Sequence, residues 1–222
     1  MRARSALAPA IAILISAPLS VLWWPSSASA TVSPRVPAGC TIRGTPGDDH
    51  LDGTGHHDVI CGGAGNDSIN GMGGNDVIFG GPGRDNLAGS SGADRIWGGR
   101  DHDQIYGGDG PDLLSGGLER DVIRAGRSRD RARGGPGPDF ISGSYGGDRL
   151  FGNLGRDSIL GWYGIDLVSG GYAGDRCLGT HDFAPGDTIR GGRGSDEFGA
   201  DPGDIVIGAE RTAPYPCDPG PS

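Results

Sequence analysis

The chain has no lysine and only three glutamates. Aromatic residues make up 6% of its 222 residues, and the apolar fraction is 35%. A chain this poor in large apolar side chains does not fill a wide globular core. That leaves a disordered chain, a thin repeat structure, or a fold held together by ligands. Beyond the first thirty residues, no apolar run is long enough to cross a bilayer as a helix, so an integral membrane protein is not expected. The formal net charge of −9 disfavours nucleic acid as a partner and attracts cations. No Gly-x-Ser-x-Gly stands between a strand and a helical pattern, and nothing else reads as a catalytic constellation. An enzyme is not expected.

What the chain does have is 46 Gly and 25 Asp. It opens on Arg2 and Arg4, then a mostly apolar stretch from Ala6 to Trp24 interrupted by Pro9 and Pro18. Small residues follow, with Ala28 and Ala30 in an A-x-A arrangement. This reads as a secretory signal over residues 1–30, a retained anchor being the alternative. Residues 31–43 form an N-terminal cap segment.

From Gly44 to Leu178 the chain divides into fifteen blocks of nine with no insertion. Block 3 reads GGAGNDSIN, block 4 GMGGNDVIF and block 5 GGPGRDNLA. Position 6 is Asp in all fifteen blocks, from Asp49 to Asp175. Position 1 is Gly in all but one, the exception being Ala125. Position 8 is Ile, Leu or Val except at Ala132 and Cys177. Clustered Gly at positions 1 to 6 permits a turn. Positions 7 to 9 make a very short strand whose middle side chain points inward. The expected fold is all-β: a right-handed parallel β-roll, or β-solenoid, with two nonapeptide repeats per coil.

Stacked coils place the Asp residues in two columns, one on each edge of the roll. Without counter-charge the columns repel. Ca2+ takes six to eight oxygen ligands, and carboxylates from neighbouring turns plus turn carbonyls supply such a set. The competing reading is that each Asp only bonds to backbone within a turn. Asn and Ser do that equally well, so an unbroken run of Asp favours the ligand.

These blocks resemble the RTX, or haemolysin-type calcium-binding, nonapeptide GGxGxDxUx. The resemblance covers residues 44–178. It implies several Ca2+ ions between successive turns, pairing Asp67 with Asp85 and Asp76 with Asp94. It also implies a chain largely disordered without calcium. The expected metal ligands are Asp49, Asp67, Asp76, Asp85, Asp94, Asp112, Asp139, Asp148, Asp157 and Asp166, whose blocks keep Gly at positions 1 and 4.

Five blocks depart at position 4, with His56, Asp101, Glu119, Ser128 and Ala173. Block 10, Ala125 to Arg133, also lacks Gly at position 1 and carries four Arg. A weak seam is expected there, with Arg neutralising Asp130 in place of a calcium. Residues 179–222 run out of phase; turns at Asp187, Asp196 and Asp204 read as degenerate repeats in a C-terminal cap.

Export permits disulfides. Cys61 and Cys177 lie six to seven coils apart, too far to bridge. Cys40–Cys61 and Cys177–Cys217 are the expected pairs, with free thiols or a metal site as the alternative. His50, His56 and His57 have metal-binding chemistry, but they read as turn and surface residues. In the first eight blocks, outward positions of the even blocks show Val59, Val77, Phe79, Trp97 and Leu113, against mostly polar residues on the odd blocks. That asymmetry points to a cell-surface or polysaccharide partner, or to cover by the N-terminal segment. The overall expectation is a secreted, calcium-folded structural or surface-binding module. The alternatives are an accessory to a separate secreted enzyme and, further off, an enzyme on extracellular polysaccharide.

Overall fold

The computed structural model describes residues 39–179, 186–200, 202–208 and 211–212. The leader, Cys217 and the last ten residues lie outside them, as does the side chain of Cys177, so the Cys177–Cys217 pair falls outside the described residues. Among the described residues there are twenty strands and no helix. No helix there is long and apolar enough to cross a membrane.

The strands form two ten-stranded parallel sheets, each pairing every second strand. One sheet, the even sheet, takes Ile42–Arg43, the even blocks, Thr188–Arg193 and Ile205–Ile207. The odd sheet takes the odd blocks, then Glu197–Gly199 and Arg211–Thr212. Register partners along the array lie one coil apart, as in Ile78↔Ile96 and Leu87↔Ile105. This is a right-handed parallel β-roll with two blocks per coil. Nine strand-to-strand steps give each sheet a length of roughly 43 Å.

The core is one residue thick. Position 8 supplies Ile60, Ile69, Ile78, Leu87 and their successors through Val168, all fully or almost fully buried. Ile189 and Phe198 extend the file past the regular array. Stacking lets such a narrow core suffice, because each side chain is covered by those above, below and across.

The strands are longer than expected. From block 4 onward most run six residues, through positions 7 to 9 and on into positions 1 to 3 of the next block, as in Val77–Pro82 and Arg95–Arg100. Both positions 8 and 1 then face inward. Position 1 must be small for a steric reason: a Cβ on Gly98 would lie 2.3 Å from Asp103 Oδ2 and 2.5 Å from the Gly116 carbonyl oxygen. Ala125 is the one block residue at this position with a side chain, and it is fully buried.

Position 4 is different. Its backbone is left-handed, and in Gly164 (φ 131°) an added Cβ would meet the Gly146 carbonyl oxygen. Asp101, Glu119, Ser128 and Ala173 hold the same turn with φ between 70° and 93°. The lost glycines therefore strain these turns without breaking them. Replacing Ser128 by Gly is expected to raise stability in calcium by about 1 kcal/mol. A denaturant midpoint that stays put or falls would contradict this.

Nor is block 10 a break. Arg131, Ala132 and Arg133 pair in register with Arg149, Leu150 and Phe151 on one side and with Leu113, Leu114 and Ser115 on the other. At the first coil a Cys40–Cys61 disulfide joins Cα atoms 6.0 Å apart, as the coil spacing requires.

Candidate metal centre

Each Asp at position 6 is tied to the next coil twice. Asp85 donates its backbone N–H to Asp103 Oδ1 at 2.9 Å. Its carbonyl accepts the N–H of Gln104 at 2.8 Å. The same carboxylate-to-backbone bond recurs at every coil step from Asp49 through Asp175. Backbone stabilisation by Asp is therefore present, but it acts between coils and uses one carboxylate oxygen.

The other oxygen decides the chemistry. Oδ2 of Asp67, Asp76, Asp85, Asp94, Asp103, Asp112, Asp121, Asp130, Asp139, Asp148, Asp157, Asp175 and Asp196 is buried with no hydrogen-bond donor. A buried carboxylate oxygen without a donor is costly unless something positive meets it. The missing Cβ of the position-1 glycine is what lets this oxygen sit there, since a Cβ on Gly98 would lie 2.3 Å from Asp103 Oδ2. Burial pushes Asp103 up to about 9, Asp130 and Asp139 to about 8, and Asp85, Asp112, Asp121 and Asp175 to about 7, neighbouring carboxylates adding to several of these. Asp148 and Asp157 reach about 6 for the same first reason. Asp67, Asp76 and Asp94 are raised as well, burial again leading.

The donor set is all oxygen. Among the described residues no three His, Cys, Asp or Glu side chains converge on one point. A resident ion would therefore draw on carboxylates of adjacent turns together with backbone carbonyls, and the position-4 carbonyls point along the column. Such a set suits a hard, flexibly coordinated cation such as Ca2+ rather than Zn2+. His50, His56 and His57 form no metal cluster; His50 lies 3.8 Å from Asp52, and His57 meets the Asn75 carbonyl.

The family pattern of the RTX calcium-binding nonapeptide repeat matches in six stretches, 41–69, 58–87, 70–105, 79–114, 106–141 and 142–171, which together cover residues 41–171 without a gap. The chain belongs to this RTX repeat family. No curated protein matches it. Its RTX turns pair as Asp67 with Asp85 and Asp76 with Asp94, one coil apart.

The ten expected ligands do not stand alike. The nine from Asp67 to Asp166 occupy the regular column. Asp49 opens its column, but its Oδ2 is not spare: Thr45 donates both its backbone N–H, at 2.6 Å, and its hydroxyl, at 3.0 Å, to Asp49 Oδ2. Thr54 does the same for Asp58, whose pKa its hydroxyl lowers. Threonine at position 2 thus closes the first two turns with the chain's own donors, and neither Thr45 nor Thr54 is left-handed. Thr at position 2 is the signal that would have separated these turns.

Conversely, Asp103, Asp121, Asp130 and Asp175 lie in blocks without Gly at position 4 and outside the expected ligand set, yet each has the same buried, donor-free Oδ2. The expected neutralisation of Asp130 by arginine is not the arrangement. What acts on Asp130 is burial and the charges of Asp148 and Asp112. Arg127 instead reaches Asp109 at 3.7 Å, and the Arg129 charge acts on Asp148. Past the array the column continues, with Asp166 donating to Asp187 Oδ1 and Asp175 to Asp196 Oδ1.

Proposed function

We propose that the protein is a secreted, non-catalytic module that folds on binding extracellular Ca2+ and then presents a flat sheet to a surface partner. The RTX repeats and the roll make it a calcium-binding structural module. The observation that carries the folding claim is the file of buried Oδ2 atoms without donors. Such a file is unfavourable in the ionised, calcium-free chain and favourable once a cation is held, so binding energy becomes folding energy. The ligands in this reading are the nine column residues first expected, from Asp67 to Asp166, together with Asp103, Asp121, Asp130 and Asp175. Extracellular calcium modules work at roughly 0.1 to 1 mM, which suits a chain led by residues 1–30 of signal-like composition.

Val59, Val77, Trp97 and Leu113 lie partly exposed on the even sheet, and Phe79 stacks on Trp97 with ring centroids 4.8 Å apart. Phe79 itself is buried in this stack, contrary to the expectation that it faces a partner, and the half-exposed Val59, Val77, Trp97 and Leu113 support the surface-binding part of the reading. Calorimetric titration with calcium is expected to show several ions per chain and a large folding heat. A stoichiometry of one or none would end the proposal.

A further inference from the structure

The ten strands of the even sheet contain eight arginines and not one Asp or Glu. The odd sheet carries Asp52, Asp109 and Glu197 in its strands. In a protein of net charge −9, acid has been kept off one whole face. Its centre is a cluster on two adjacent strands. Arg131 pairs in register with Arg149, and Arg133 with Phe151. The guanidinium carbons of Arg131 and Arg133 lie 5.7 and 5.4 Å from the Phe151 ring centroid.

Like charges on neighbouring strands repel. Burial and the Arg131 charge lower Arg133 to about 10, so it remains a cation at neutral pH. The phenyl ring holds two planar forks in place, and such forks match planar oxyanions in a two-point grip. In line with Arg133, one and two strands away, stand Ser115 and Trp97. Trp97 stacks on Phe79 with the ring planes 8° from parallel, so Phe79 covers one face of the indole and the other looks along the sheet towards Ser115. A row of cations followed by a small serine and then one uncovered indole face fits a linear polymer that bears both anionic groups and apolar ring faces.

We propose that this face binds an anionic polysaccharide, its carboxylate or sulfate groups held at Arg131, Arg133 and Arg149 and a sugar ring packed over Ser115 against the uncovered face of Trp97. The assignment deepens the surface-binding reading above and rests on it. A diffuse anionic bilayer would need neither fixed forks nor an aromatic face in register with them. The rest of the protein repels a polyanion, so binding is confined to this face and weakens with salt.

The test uses the full chain in saturating calcium, titrated with hyaluronan, with dextran sulfate and with neutral dextran. Both polyanions are expected to bind and dextran is not. Arg131→Ala with Arg133→Ala is expected to weaken binding roughly tenfold or more, while Arg124→Ala on the odd sheet leaves it unchanged. Should the double variant lose its calcium-folded circular dichroism spectrum, Arg149→Ala, which is exposed, replaces it, with a loss of about threefold expected. The proposal is overturned by no binding to either polyanion, by equal binding to dextran, by unchanged affinity in these variants, or by tighter binding to phosphatidylserine vesicles or duplex DNA. Failure of calcium-driven folding would show in the circular dichroism spectrum, independently of any polymer.

Discussion

In calcium-free buffer at pH 8 the chain is expected to lose its β-structure, and acidification to about pH 5 is expected to restore it without any metal. The sign follows from the direction of the shifts. An unfolded Asp has a pKa of 3.8, whereas in the roll burial raises Asp103 to about 9, Asp130 and Asp139 to about 8, and Asp85, Asp112, Asp121 and Asp175 to about 7. The folded chain binds protons that the unfolded chain has released. Stability from these groups is therefore full below pH 3.8 and is lost as pH rises through the window from about 6 to 9. Calcium reverses the dependence. Protons and metal compete for the same oxygens, so calcium affinity rises across the window in which the calcium-free roll fails. Far-ultraviolet circular dichroism at pH 5 and pH 8, with and without millimolar calcium, reads both arms. An undiminished β-signal at pH 8 in chelator would sink the account.

Asp103→Asn is expected to change sign with calcium. Its side-chain oxygen still accepts the Asp85 N–H, the bond now 2.9 Å long, so the inter-coil tie survives. The buried charge is gone. Without calcium the variant is expected to outlast the parent chain at neutral pH, by an amount on the order of a few kcal/mol at most. With calcium it is expected to be the less stable of the two and to hold fewer ions, because an amide donor now stands where Oδ2 faced the cation. Asp49→Asn is the control. Thr45 already donates twice to Asp49 Oδ2, so its effect on ion number is expected to be small. Midpoints of chemical denaturation in calcium and in chelator, with ion counts from calorimetry, test the pair. A destabilisation of equal size under both conditions would mean that the Asp103 carboxylate serves the backbone alone.

Much of this was legible from nine-residue spacing. The period placed Ile60, Ile78 and Ile96 in one file and Asp67 and Asp85 in one column, and it separated the two outward faces. It also brought Cys40 within reach of Cys61. The C-terminal turns at Asp187 and Asp196 were visible as turns, but not as a continuation of the columns. Their spacing to the previous coil is 21 residues rather than 18, and only the stack shows that their carboxylates still accept from Asp166 and Asp175.

The sequence by itself determined the roll, its period, its two carboxylate columns and its acid-free face, because each follows from residue type at a repeated position. The tertiary structure decided which carboxylate oxygen is spare. Whether an Oδ2 meets a donor depends on the chain's own turn, as at Thr45, and on the coil stacked beside it. It also decided that Glu119 and Ala173 keep the left-handed turn that glycine would adopt freely, since inter-coil hydrogen bonds outweigh a local preference of about 1 kcal/mol. Block 10 holds for the same reason: Arg131 and Arg133 lie over Phe151 one coil on, a contact that no reading of nine residues contains.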